Sequence, residues 1–285
     1  MALEYDSALA LQETGLRSSY GVKDTMLYAL SIGMGRDPYD PKELPFVFEG
    51  GGLRVVPTMA TTLSGRSLVS RMDIDLPKML HGEQRMKVHR PIPAAADLTT
   101  DMRVVDVLDK GEGKGAIIYT ENVLREAGNP DPLVTLGYSL FARGDGGFGG
   151  PQRPAIPIHE LPDRAPDLRH ESDTRLDQAL LYRLNGDMNP LHADPELAKK
   201  VGFKVPILHG LCGYAVACRA VLATVCDYEP DRIAEFDVRF SSPVYPGEKI
   251  TTEIWVDGNT VSFRCRVEER DIVSINSGKC VLRDA

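Results

Sequence analysis

Apolar and polar positions follow two distinct rhythms along this chain. From Gly210 to about Cys226 the residues are apolar on nearly every helical face and rich in Ala, Gly and Cys. Such a helix must be surrounded by other elements. After it come stretches of strand character bounded by turn residues: FDVRF at 236–240, KITTEIWV at 249–256, TVSFRCRVEE at 260–269 and SGKCVLR at 277–283. Asp257-Gly258 marks a tight hairpin between two of them. An earlier set repeats the strand portion: RMKVHR at 85–90, LTTDMRVVDVL at 98–108, GAIIYTENVLRE at 115–126 and PLVTLGYSLFAR at 132–143. Gly111, Gly113 and Gly115 fall between two of these strands, so they read as a hairpin turn; a phosphate loop would need a helix to follow. Asp194-Pro195-Glu196 is a helix start with Asp194 as N-cap, and Gly202 ends that short helix.

The two sets are copies of one unit. PIPAAADLTT at 91–100 aligns with PVYPGEKITT at 243–252, an offset of 152 residues, and at that offset Val55-Val56 falls on Ile207-Leu208. Tyr28 and Leu30 fall on Tyr182 and Leu184 at an offset of 154. The expected fold is α+β, two tandem hot-dog units, each a curved antiparallel sheet wrapped around a long buried helix. Residues 1–150 form the first unit, 151–170 a proline-rich linker and 171–285 the second.

Composition narrows the functional classes. A length of 285 residues leaves ample core, and a net charge of −8 argues against a nucleic-acid surface. Cys212, Cys218, Cys226, Cys265 and Cys280 form no C-x-x-C pair, and Met1–Ala10 has no secretory character. Free thiols in a reducing, cytoplasmic setting are expected. The run from Val216 to Cys226 is broken by Arg219 and too short to span a bilayer, so no membrane partner is expected. The terminal Leu282-Arg283-Asp284-Ala285 is not an S-K-L type address.

The candidate chemistry lies in YRLNGDMNPLHADPELAKKVGFKVPILHGLCGY, residues 182–214. Positions five apart on a helix diverge by about 140°, and a residue before proline leaves the α region. Asp187 and His192 therefore converge only if 186–191 loops out around Asn189-Pro190. Singly, Asp187 reads as a turn former and His192 as a surface histidine. Together, beside the His209-Gly210 helix start, they read as two proton-exchanging groups with an oxyanion donor at the Gly210 N–H. Asn189 serves either the turn or a water, and Tyr182 alone suggests core. A metal site from Asp187, His192 and His209 is the main competitor, but it lacks typical ligand spacing. Cys212 sits in an apolar helix face and suits inert packing better than a thiol nucleophile.

The pattern Y-x-L-N-G-D-x-N-P-L-H-A-D, followed by the H-G helix start, resembles the MaoC-like type 2 enoyl-CoA hydratases. The duplication is similar to the double hot-dog members of that family. The resemblance implies reversible hydration of trans-2-enoyl-CoA to (3R)-3-hydroxyacyl-CoA, with no metal or redox cofactor. It implies Asp187 and His192 as the catalytic pair and Gly210 as oxyanion donor, supported by Asn189 and Tyr182. LHGEQ at 80–84, with Glu83, and RGDGGFGG at 143–150, with Gly146, Gly147 and Phe148, also look like elements of double-length members; together with His209 they are expected near substrate. A homodimer is implied too. In the first unit Gly33 falls opposite Asp187 and Pro38 opposite His192, so that unit is expected to be catalytically silent and to shape the acyl pocket. A hot-dog thioesterase, with a carboxylate-activated water, and a non-catalytic acyl-CoA-binding subunit are the alternatives.

Overall fold

A computed structural model describes residues 3–65, 67–75, 78–151 and 153–284. Met1, Ala2 and Ala285, which belong to the terminal readings above, and Gln152 of the linker lie outside the described residues, as do Arg66, Leu76 and Pro77. The strands are β1 (Gln12–Tyr20), β2 (Met79–Val88), β3 (Ala96–Asp109), β4 (Ala116–Glu126), β5 (Val134–Ala142), β6 (Leu168–Asp173), β7 (Ile233–Phe240), β8 (Lys249–Asp257), β9 (Thr260–Val267) and β10 (Ile272–Leu282). The helices are α1 (Tyr5–Leu9), α2 (Val22–Ser31), α3 (Leu44–Val47), α4 (Ala60–Leu63), α5 (Gln178–Tyr182), α6 (Pro195–Lys200) and α7 (Gly210–Thr224).

All ten strands form one antiparallel sheet in the order β1-β3-β4-β5-β2-β7-β10-β9-β8-β6. Read inward from either end the order is the same, with β6 to β10 taking the places of β1 to β5. The duplication read from short sequence matches is thus a duplication of topology. The halves meet where the equivalent strands β2 and β7 pair, Glu83 opposite Arg239, Gln84 opposite Val238 and Lys87 opposite Glu235. The linker crosses the outer face of this seam: Ile156 N–H donates to Tyr119 Oη (3.2 Å), Arg85 to Pro157 O (3.3 Å), and Trp255 Nε1–H to Arg164 O (2.8 Å).

In the second half α7 runs through the core, as its all-round apolar character requires, with Tyr214, Ala215, Ala217 and Cys218 fully buried. Arg219, the one charge in its apolar run, is satisfied by Glu43 at 2.6 Å. The double hot dog is present, but among the described residues the long buried helix occurs once. Its counterpart in the first half is a single 3-10 turn, Pro57–Met59, running into α4. Thr61 and Thr62 return their hydroxyls to the carbonyls of Thr58 and Met59, both at 2.8 Å, and Gly65 turns left-handed (φ 81°), so the helix stops early. Strands β1 and β6 are additions to the expected set. Both are outer strands with mostly exposed residues, so neither carries an apolar alternation, and the linker accordingly ends before Leu168 rather than at 170.

Candidate active site

The chain breaks where the Gly and Pro residues require it. Helix α5 tightens into a 3-10 turn at Arg183–Asn185 and ends at Gly186 in the left-handed region (φ 113°). Asp187 Oδ1 then accepts from Asn189 N–H (3.2 Å), and Asn189 Oδ1 accepts from Leu191 N–H (3.0 Å), closing a second 3-10 turn at Pro190–His192. The Asn189 side-chain oxygen therefore serves the turn. Asp194 caps α6 through Glu196 N–H (2.9 Å) and Leu197 N–H (3.3 Å), which fixes the chain beyond His192.

This loop and the start of α7 bring Asp187, His192 and His209 together, with one donor atom from each lying within 4.8 Å of the others. His192 Nδ1 lies 2.8 Å from the Ile207 carbonyl and His209 Nε2 lies 3.2 Å from the Asp187 carbonyl. A carbonyl only accepts, so these nitrogens carry the protons, and the neutral rings keep lone pairs at His192 Nε2 and His209 Nδ1. The two rings stack with centroids 3.7 Å apart and 26° between planes. The same three residues are close enough to hold a metal ion, the competing reading of this segment. Burial pushes His192 below the ordinary imidazole range, and burial together with the neighbouring His192 pushes His209 down to about 4. Asp187 remains exposed to solvent.

Gly210 is the first residue of α7, and its cap residue His209 makes no side-chain capping bond; Cys212 N–H bonds the His209 carbonyl, so the Gly210 and Leu211 N–H groups are the open end of the helix. Gly210 faces a mainly apolar cavity of about 470 Å³, lined also by His81, Phe203, His209, Phe240 and Ile275. A Cβ at Gly210 would lie 3.4 Å from the Phe240 ring, so glycine keeps this wall open. First-half residues in the lining are Leu80, His81 and Arg143; most of the wall is second-half.

Several expected site residues lie elsewhere. Glu83 points to the outer face and pairs with Arg85 at 3.0 Å, because β2 carries a bulge between His81 and Glu83. The same bulge turns His81 into the cavity, against Phe240 (4.8 Å between centroids) and Tyr138 (5.6 Å), where burial pushes its imidazole down to about 4 although the ring edge reaches the cavity. Gly82 between them was the available signal, since a glycine inside a strand marks a bulge or close backbone approach; a Cβ there would meet Ser139 O at 3.1 Å. Gly146, Gly147 and Phe148 are bound to the β3–β4 hairpin instead of the cavity. Asp109 accepts from Gly147 N–H (2.8 Å) and Gly149 N–H (2.7 Å), and a Cβ on Gly146 would overlap the Gly111 carbonyl. Tyr182 is core: it is 1% exposed, packs on Tyr28 and His209, and its hydroxyl has no hydrogen-bond partner among the described residues. Cys212 is fully buried, and burial pushes its thiol up to about 12, an inert state.

The chain matches two family models, one described as MFE-2 hydratase 2 N-terminal domain over residues 18–144 and one as MaoC like domain over residues 157–277. It is 38% identical over 271 residues to a probable enoyl-CoA hydratase 2 of Dictyostelium discoideum, covering 91% of this chain and 90% of the relative. It is 37% identical over 284 residues to a peroxisomal enoyl-CoA hydratase 2 of Arabidopsis thaliana, covering 93% and 91%. Among solved structures, a MaoC-like dehydratase from Phytophthora capsici superposes with a TM-score of 0.87 at 35% identity, covering 98% of this chain and 99% of that one.

Proposed function

The chain belongs to the MaoC-like type 2 enoyl-CoA hydratases, in their double hot-dog form, and from that premise we propose that it hydrates trans-2-enoyl-CoA thioesters to (3R)-3-hydroxyacyl-CoA at one site per chain. It is a hydro-lyase by that membership. The observation that carries the residue assignment is the convergence of Asp187 and His192 beside the open N-terminus of α7.

The thioester carbonyl docks on the Gly210 N–H, and water sits between Asp187 and Nε2 of His192. Attack at Cβ moves electron density onto the thioester oxygen as an enolate. The Gly210 N–H and the helix dipole stabilise that charge; one such donor is worth about 2.7–4 kcal/mol of transition-state energy. Asp187 and His192 work as a unit around the water: the pair takes one proton from the attacking water as its O–H bond breaks and delivers one proton to Cα on the same face. The C–O bond and the Cα–H bond form, the C=C π bond breaks, and the pair ends with the same number of protons, so no cofactor is needed. The Nδ1–H bond to Ile207 leaves Nε2 as the nitrogen that faces water. In the first half, Gly33 and Pro38 occupy the corresponding positions and offer no proton-transfer group, which supports a single site.

The test is loss of enoyl absorbance with crotonyl-CoA, with chiral analysis of the product and a thiol reagent to detect free CoA. Asp187→Asn and His192→Ala are each expected to lower kcat by about 100-fold or more with the fold intact. Turnover retained in either variant, or release of free CoA in place of hydration, overturns the reading.

A further inference from the structure

We propose that His209 is a positioning residue for the proton-exchanging pair, holding His192 as a neutral imidazole with Nε2 turned to the water while tying the Asp187 turn to the start of α7. The inference rests on the hydratase reading above.

His209 is 1% exposed and stands at the joint between loop and helix. Its backbone carbonyl accepts from Cys212 N–H (3.0 Å) and Gly213 N–H (3.2 Å), so it begins the helix. Its ring makes two further connections. Nε2–H donates to the Asp187 carbonyl, and the ring face lies against His192. Tyr182, 5.0 Å away, packs against the same ring. His192 is thus fixed twice, by the Ile207 carbonyl at Nδ1 and by the His209 ring on its face.

The choice of residue follows from these two tasks. Phenylalanine would supply the ring but no N–H for Asp187, and glutamine would supply the N–H but no ring. Histidine supplies both, and it leaves Nδ1 buried without a partner among the described residues. A buried unpaired acceptor carries a free-energy cost, so its presence here signals a requirement that packing alone does not create. The charged and titratable groups facing His192 are Asp187, His209 and Arg183, and those facing His209 are His192, Asp187, Arg183 and Tyr182. Of these only the Asp187 carboxylate favours an imidazolium. The neutral His209 ring keeps water from one face of His192 without adding charge.

His209→Phe and His209→Gln in the full chain separate the two tasks. Each is measured for crotonyl-CoA hydration from pH 5 to 9 and by nitrogen-15 NMR of the His192 imidazole. Both are expected to lower kcat about 10- to 100-fold while KM stays within about twofold, the signature of misplaced rather than missing chemistry. In His209→Gln the acid limb and the His192 titration should move up together toward the ordinary imidazole range; in His209→Phe neither should move. Parental kcat in both variants, or a His192 titration unchanged in His209→Gln, overturns the proposal. The two readings fail separately: a parent chain without hydratase activity refutes the proposed reaction, while the NMR titrations still report whether His209 controls His192.

Discussion

Tyr28 and Tyr182, which occupy equivalent positions in the two halves, meet in the core with ring centroids 6.0 Å apart and planes tilted by 56°. Their hydroxyls are treated differently. Tyr28 Oη bonds Thr58 Oγ1 at 3.0 Å, whereas Tyr182 Oη faces only the Tyr28 hydroxyl and makes no well-formed hydrogen bond among the described residues. Tyr28→Phe is therefore expected to cost about 1 kcal/mol of stability, and Tyr182→Phe to be neutral or stabilising. Urea denaturation of both variants checks this; equal losses would show that the two tyrosines still act as a symmetric pair.

Gly210→Ala should separate activity from stability. A helical alanine is favoured over glycine, while its Cβ would come into contact with the Phe240 ring at 3.4 Å and narrow the cavity wall. Stability is expected within about 1 kcal/mol of the parent. Turnover should fall by about tenfold or more, because misplacing an oxyanion donor removes stabilisation made only in the transition state. Full activity in a folded Gly210→Ala protein would move the oxyanion donor elsewhere.

The stacked histidines also predict how stability depends on pH. His209 lies at about 4 and His192 is lowered too, both chiefly by burial, while both return to ordinary imidazole values on unfolding. The unfolded chain then binds more protons between the two ranges. Their contribution is full above about pH 6.5 and is lost as the pH falls from there toward 4, by at most about 3 kcal/mol for His209. Denaturation midpoints for the parent and His209→Gln at pH 7.5 and 4.5 isolate the effect; the variant should lose less.

Asp237 predicts the opposite sign. Burial at the β2–β7 seam raises its carboxyl to about 6, although Met86 N–H (3.2 Å) donates to it. The folded state holds this proton more tightly than the unfolded one. The favourable contribution is present below about pH 4 and is lost as the pH rises through 6. Asp237→Asn keeps an acceptor for Met86 and removes the charge, so it should stabilise the protein by up to about 3 kcal/mol above pH 6 and leave it unchanged at pH 4. A variant destabilised at pH 7.5 would show that the carboxylate is held by Arg85 and Lys279 more strongly than burial opposes it.

The parts of this molecule legible in sequence are those that local chemistry dictates. The alternation in 98–108 and 115–126 defines β3 and β4, and Gly186 and Pro190 force the loop that carries Asp187 and His192. β1 and β6 carry no sequence signal, because an outer strand with mostly exposed residues has no apolar period. Strict alternation would put Glu83, expected near substrate, on the same face as His81; a one-residue bulge at Gly82 undoes that parity, so His81 reaches the cavity and Glu83 pairs with Arg85. The stacking of His192 on His209 joins residues 17 positions apart through a turn whose path depends on Ile207. No local rule encodes that contact.

The seam between β2 and β7 is sparse and carries the costly Asp237, yet it never has to recruit its partner from solution. The linker tethers the halves at an effective concentration in the millimolar range for a short flexible chain, so a contact of modest intrinsic affinity suffices to keep the sheet continuous. Two separately expressed halves would have to meet by diffusion, and their assembly would become dilution-sensitive where that of the single chain is not.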